Sequence, residues 1–159
     1  MKRFIIPLAA AAAAMLVACN KDITPDNPTN DEPRYELALN FPDVEMATKV
    51  ALSSADNAVS NIQVMVFKAD GSLENSVNLN STSGSINVTA GEKTVYAVAN
   101  VPTSKHSFLN AASASAVTSV ATALSDNTIG GAFVMIGNNT VTVSGASSCS
   151  ISLYRIAAK

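Results

Sequence analysis

Between residues 35 and 101 the apolar residues of this chain recur at every second position in short runs separated by turn residues. At that period successive side chains point to opposite faces of a sheet, so the chain is constrained to fold from short strands sharing a buried side. Tyr35, Leu37, Leu39 and Phe41 alternate with Glu36, Ala38 and Asn40, which describes a half-buried strand stopped by Pro42. Between Asn61 and Lys68, Ile62, Val64 and Val66 fall on one face and Met65 and Phe67 on the other. A strand apolar on both sides is expected in the middle of a sheet. Asp70-Gly71 signals a tight turn, and Leu73 to Leu79 reads as the partner strand. Ser81 to Ser85, with Gly84, reads as a loop, Ile86 and Val88 as a short strand, Gly91 as a turn, and Thr94 to Val101 as an apolar strand ended by Pro102.

The remaining segments carry other signals. Asp43 to Ala58 has no clean period and reads as an irregular connection. Val117, Val120, Ala121 and Leu124 are spaced by three and four, which suits one face of a short helix between Ser113 and Ser125. Ser113 or Ser115 would cap it, and it should lie across a sheet or sandwich edge. Phe133 to Ile136, Gly137-Asn138-Asn139 and Thr140 to Val143 read as a hairpin, and Ile151 to Ala158 as a last strand in which the chain ends. The expected fold is all-β with a short helix, a transthyretin-like, Greek-key β-sandwich.

The N-terminus has a different character. Lys2 and Arg3 precede an apolar run from Phe4 to Val17, and Leu16-Val17-Ala18-Cys19 has the form of a lipobox. The run is too short for the roughly 20 apolar residues that cross a bilayer. Residues 1–18 are therefore expected to be a lipoprotein signal peptide cut between Ala18 and Cys19, with diacylglycerol and palmitate held by Cys19. Residues 19–34, with three prolines, three aspartates and a glutamate, should be a flexible tether, and 35–159 the folded domain. The protein is thus expected to be an outer-membrane lipoprotein at the cell surface. With Cys19 acylated, Cys149 has no disulfide partner and is expected to be a small core residue.

Little in the chain suggests catalysis. Formal net charge is −2 and becomes more negative once Lys2 and Arg3 are removed, which argues against nucleic acid as a partner. His106 is the only histidine, and it lies in a polar loop. A histidine-rich metal site is thereby excluded, and a solvated loop residue is the expectation. Asp43 and Glu45 flank Val44 beside a proline and read as a solvated pair, and Gly130-Gly131 as a turn or hinge lacking any phosphate-loop continuation. No enzyme activity, cofactor or metal is expected.

Several runs resemble a known family. Ile62-Gln63-Val64-Met65-Val66-Phe67, the Asp70-Gly71 turn, the Gly91 turn, and Thr94-Val95-Tyr96-Ala97-Val98-Ala99-Asn100-Val101-Pro102 are similar to the N-terminal domain of the fimbrillins, the type V pilins of Gram-negative anaerobes. Cys19-Asn20-Lys21-Asp22 resembles their lipoprotein start, and Tyr154-Arg155-Ile156-Ala157-Ala158-Lys159 their strand with a basic residue. The resemblance implies a structural subunit of cell-surface fimbriae that assembles by strand insertion with other subunits. Its first strand, here Tyr35, Leu37, Leu39 and Phe41, would be removed by a trypsin-like protease. The cut would fall after Lys49, before Val50, since a cut at Arg34 would leave the strand in place. Fimbrillins usually carry a second β-domain, and this chain is expected to lack it. The alternative is a monomeric fimbrial anchor or accessory lipoprotein that binds a glycan or another ligand on a host or bacterial surface.

Overall fold

The computed structural model describes residues 32–42, 58–101, 107–123 and 133–156, all within the unit Glu32–Lys159. Eight strands and one helix occur among them: β1 (Arg34–Asn40), β2 (Ile62–Lys68), β3 (Leu73–Leu79), β4 (Ser83–Thr89), β5 (Gly91–Ala99), α1 (Ala114–Ala123), β6 (Met135–Val143), β7 (Ser147–Ser150) and β8 (Tyr154–Arg155). They form an all-β sandwich of a three-stranded sheet, β4-β1-β7, and a five-stranded sheet, β3-β2-β5-β6-β8. The path β2-β3-β4-β5 is a Greek key, in which β5 returns beside β2 while β4 belongs to the opposite sheet.

Alternation decides what each sheet buries. Leu37 and Leu39 of β1 meet Ile62, Val64 and Val66 of β2, Ile86 and Val88 of β4, and Val95, Ala97 and Ala99 of β5 in one core between the sheets. The outer face of the five-stranded sheet carries a second apolar cluster, with Met65, Phe67, Val98, Val101, Phe108, Val117 and Val134. This second layer is why β2 is apolar on both sides and buried from Ile62 to Phe67. Buried Gln63 belongs to that layer too, its Oε1 accepting from the Phe108 amide at 2.7 Å. The helix lies across this sheet face rather than along a sandwich edge, anchored by Val117. Its cap is Ser113, whose Oγ accepts from the Ala116 amide.

The turn at Asp70-Gly71 and the β2–β3 pair match expectation. Gly71 has φ +82°, and Asp70 Oδ1 accepts from both the amide and the hydroxyl of Ser72, at 2.9 and 2.6 Å. Three expectations need correction. Ser81 to Ser85 is not all loop, because β4 starts at Ser83 and pairs with β1 from Asn40↔Ser83 onward. Gly137-Asn138-Asn139 is no hairpin turn but the interior of one nine-residue strand, β6, paired along its length with β5. A Cβ on Gly137 would collide with the Ser152 carbonyl oxygen, so this glycine serves close approach rather than a turn. Nor is Ile151 to Ala158 one strand: β7 ends at Ser150, and the chain crosses to the other sheet before the two residues of β8. The missed strand β7, Ser-Ser-Cys-Ser, hides its apolar alternation in Cys149 and the Ile151 that follows.

Two polar devices close the ends of the sandwich. Asn100, directly after β5, has φ +61°, and its side chain is 8% exposed. Its Oδ1 accepts from the Ser60 amide at 2.9 Å and the Ser60 hydroxyl at 3.1 Å, while Nδ2 donates to the carbonyls of Ala58 and Phe133, each at 2.8 Å. One side chain thereby ties together the lead-in to β2, the exit of β5 and the lead-in to β6. Asparagine suits the position because it tolerates left-handed backbone and carries both donor and acceptor.

The second device is a buried ion pair. Pairing between β2 and β3 shifts at Val66/Phe67 and skips Glu74, and such a bulge re-aims the extra side chain. The Glu74 carboxylate meets Lys93 Nζ at 2.7 Å, with the two side chains 2% and 3% exposed. Lys93 Nζ also donates to Thr89 Oγ1 at 2.9 Å, and the Thr89 amide donates to Glu74 Oε1 at 2.6 Å, so β3, β5 and the end of β4 are joined. Burial alone pushes the Glu74 carboxyl up. The Lys93 ammonium and the Thr89 donors outweigh it and hold the group below its ordinary value of 4.5.

Both devices yield stability predictions. Asn100→Ala strands the Ser60 amide and the Ala58 and Phe133 carbonyls and keeps a strained φ, so urea denaturation should show a loss of about 2–4 kcal/mol. Asn100→Gly should recover only the strain, about 1 kcal/mol. Glu74→Gln leaves Lys93 buried without a counter-charge and should cost about 3–5 kcal/mol, whereas replacing both residues with methionine should come close to wild type. Because the folded carboxyl titrates below the unfolded one, the pair's contribution is complete above pH 4.5 and is lost as pH falls through the lower folded value. The urea midpoint of the wild type should therefore drop in that acidic window more steeply than that of the double variant; equal slopes would remove the pair from the account.

Candidate functional site

The first strand occupies an unusual position. β1 pairs with β4 antiparallel over seven residues, from Arg34↔Thr89 to Asn40↔Ser83, and with β7 parallel over four, from Leu37↔Ser147 to Asn40↔Ser150. It is the middle strand of its sheet although it comes first in the chain, and neither neighbour adjoins it in sequence. Further backbone bonds extend the contact at its end, from the Phe41 amide to the Thr82 carbonyl and from the Ile151 amide to the Asn40 carbonyl, both 2.9 Å.

The side chains anticipated to face inward do so. Leu37, Leu39 and Phe41 are buried, and Tyr35 packs partly buried against the same core. Glu36, Ala38 and Asn40 point to solvent. By register Leu37 lies between Ile86 and Ser147, and Leu39 between Gly84 and Cys149. Both neighbours of Leu39 are small. A Cβ on Gly84 would come within 2.6 Å of the Leu79 side chain, which shows that Leu79 from β3 fills the space above this glycine. Cys149 is a buried core residue, as expected, and burial pushes its thiol up.

What β1 contributes can be sized. Burying three large apolar side chains is worth about 1.5–3 kcal/mol each, an upper bound because the unfolded chain also buries some surface. Backbone pairing on both sides adds to that. Without β1, the facing backbone edges of β4 and β7 would be unpaired beside the apolar core that the two sheets share. The sequence located the strand and its inward residues. It did not reveal β7 as the second wall, since a serine-rich tetrapeptide carries little strand signal.

The other anticipated positions, Ala18 and Cys19 at the export signal and Lys49 and Val50 at the maturation cut, lie outside the described residues, as do His106, Asp43, Glu45 and Gly130-Gly131. Neither Asn100 nor the Glu74–Lys93 pair stands out in the sequence as a functional or structural site. Asn100 had one readable signal, an asparagine between an apolar strand and Val-Pro. Glu74 had none, because its direction depends on the bulge.

Comparison with known proteins fits this architecture. Residues 35–154 match the family model described as major fimbrial subunit protein (FimA). No curated protein sequence matches the chain significantly. Among solved structures, the tip fimbrial protein Mfa3 from Porphyromonas gingivalis, with a C-terminal truncation, superposes with a TM-score of 0.56 at 15% identity, over 77% of this chain and 48% of that one. A fimbrial assembly protein from Parabacteroides distasonis gives 0.51 at 18% identity, over 78% and 52%. The chain thus spans about half the length of these two structures. At such identities the likeness is one of fold, whereas the family match runs from the first residues of β1 to β8, and on that ground the chain belongs to the major fimbrial subunit family.

Proposed function

We propose that this chain is exported as a cell-surface lipoprotein and serves as a structural subunit of a fimbrium, joined to neighbouring subunits by exchange of the strand in the β1 slot. The observation that supports this most is the placement of β1 between β4 and β7, a slot whose walls and floor all come from residues later in the chain. A strand from another fimbrial subunit with apolar residues at every second position can satisfy the same backbone groups and the same core. Cys19 and β1 lie on the same side of Lys49, so a single cut after Lys49 separates both the lipid and the first strand from the rest of the domain.

The energetics set the order of events. Buried side chains and two paired edges hold β1 in place after the backbone is cut, so exchange proceeds by displacement, with the incoming strand forming its bonds as β1 surrenders them. A subunit that is never cut keeps both lipid and strand and acts as an anchor.

Two experiments follow. Intact-mass and N-terminal analysis of the protein recovered from the surface of its native cells should find a lipid-free chain starting at Val50. A chain still starting at lipidated Cys19 would assign the anchor role instead. In the second, Leu37→Asp places an unpaired charge in the core, at a cost of several kcal/mol. Surface yield should collapse, whereas Ala38→Asp on the exposed face of the same strand should leave yield near wild type. Equal yields of the two variants would show that β1 does not close the core of the precursor.

A further inference from the structure

The slot that β1 fills has two walls, and each is held from outside. β4 runs antiparallel to β1 and β7 parallel to it, so the two walls run antiparallel to one another. Neighbouring strands are about 4.8 Å apart, which sets β4 and β7 roughly 10 Å from each other with β1 between them. Once β1 leaves, two antiparallel edges have an alternative to waiting for another strand: they can close the gap and pair with each other. A slot closed in this way satisfies its own backbone groups and admits nothing.

Two asparagines stand against that closure, Asn75 on β3 and Asn139 on β6, and both make the same pair of bonds. Asn75 Oδ1 accepts from the amide of the next residue, Ser76, at 2.9 Å, and its Nδ2 donates to the Asn87 carbonyl of β4 at 2.8 Å. Asn139 Oδ1 accepts from the amide of the next residue, Thr140, at 2.8 Å, and its Nδ2 donates to the Ser150 carbonyl of β7 at 2.9 Å. A carboxamide has the donor and acceptor of a peptide group, so each side chain stands in for a neighbouring strand and joins the five-stranded sheet to one wall of the slot. Both bonds reach the walls on the side away from β1. Along β4 the Thr82 carbonyl turns toward β1, where it accepts from the Phe41 amide, and alternation then turns the Asn87 carbonyl outward; along β7 the Ile151 amide turns toward β1 and the Ser150 carbonyl away.

The two walls are not held equally. β4 is tied to β3 a second time, by the Thr89 amide donating to Glu74 Oε1 at 2.6 Å, and only Ala90 separates it from β5. β7 has four residues, and among the described residues Asn139 is the one side chain of the other sheet that hydrogen-bonds to its backbone. We propose that Asn139 and Asn75 are positioning residues that keep β7 and β4 far enough apart for one strand to lie between them, so that the slot stays open to an incoming strand instead of closing by direct β4–β7 pairing. This role, which rests on the strand-exchange reading, acts while β1 is being displaced: wall segments that β1 has surrendered keep their spacing until the incoming strand reaches them. Asn139 carries the larger part of it, because β4 has other ties and β7 does not.

The test uses the full chain and a fluorescent peptide with the sequence of residues 32–42, supplied at about 1 mM, the effective concentration typical of a tethered competitor. Peptide retained by the chain after gel filtration is followed over time, and the urea midpoint of each variant is measured alongside. The wild-type chain should take up this peptide and not its Leu37→Asp version. Asn139→Ala and the double variant Asn75→Ala/Asn139→Ala lose surface hydrogen bonds and should unfold at slightly lower urea. Bonds that did no more than stabilise the fold would, once lost, release β1 sooner and speed uptake. The positioning role has the opposite sign: uptake by the double variant should fall roughly tenfold, about the factor that two surface hydrogen bonds carry. Asn139→Ala alone should give most of that fall, and Asn78→Ala, at an exposed position of β3, none. Uptake by the double variant that equals or exceeds that of the wild type would overturn the proposal and leave strand exchange standing, whereas a wild-type chain that takes up no peptide would overturn both.

Discussion

The three-stranded sheet exists only because β1 lies in its middle. β4 and β7 are not neighbours in sequence or in the sheet, and each finds its backbone partners on β1. The same strand supplies Leu37, Leu39 and Phe41 to the core shared by both sheets. One segment therefore satisfies two sets of backbone groups and closes the apolar interior. A fold that depends on its first strand in this way is left with two unpaired backbone edges and an open apolar interior wherever that strand is absent.

The five-stranded sheet is held from both faces and at two ends. Apolar layers cover both of its faces, and polar clasps sit at two of its ends, Asn100 at one and the Glu74–Lys93–Thr89 cluster at the other. Each clasp joins segments distant in sequence through short, wholly or partly buried bonds. Buried charge rarely adds net stability, but once present it penalises any arrangement that separates the partners. The bulge that aims Glu74 at Lys93 also fixes the register of β3 against β2, so a one-residue slip would bury an unpaired ammonium.

Legibility from sequence followed the strength of the local signal. β2 and β3 were readable to within a residue, because their apolar positions alternate and the Asp70-Gly71 turn fixes where one ends and the other begins. The helix was readable from its spacing and from Ser113. The polar, small-residue strands are not: the start of β4 reads as a loop, β7 carries almost no strand signal, and Gly137-Asn138-Asn139 reads as a turn. In each case the residues have weak intrinsic preference, and pairing with a strand far away in sequence made the decision. At Gly137 the deciding contact is the crossing segment at Ser152, which no local window contains.

The sequence by itself determined that the chain would form an all-β sandwich, which side chains of β1 and β2 would face the core, and that Cys149 would be buried, since these follow from periodicity and hydrophobic burial along a single strand. Tertiary structure alone decided that β1 would lie between β4 and β7, that Glu74 would meet Lys93, and that Asn100 would clasp three segments. Those features rest on contacts between segments tens of residues apart, and such contacts are chosen by the packing of the whole fold rather than by any preference the residues carry locally.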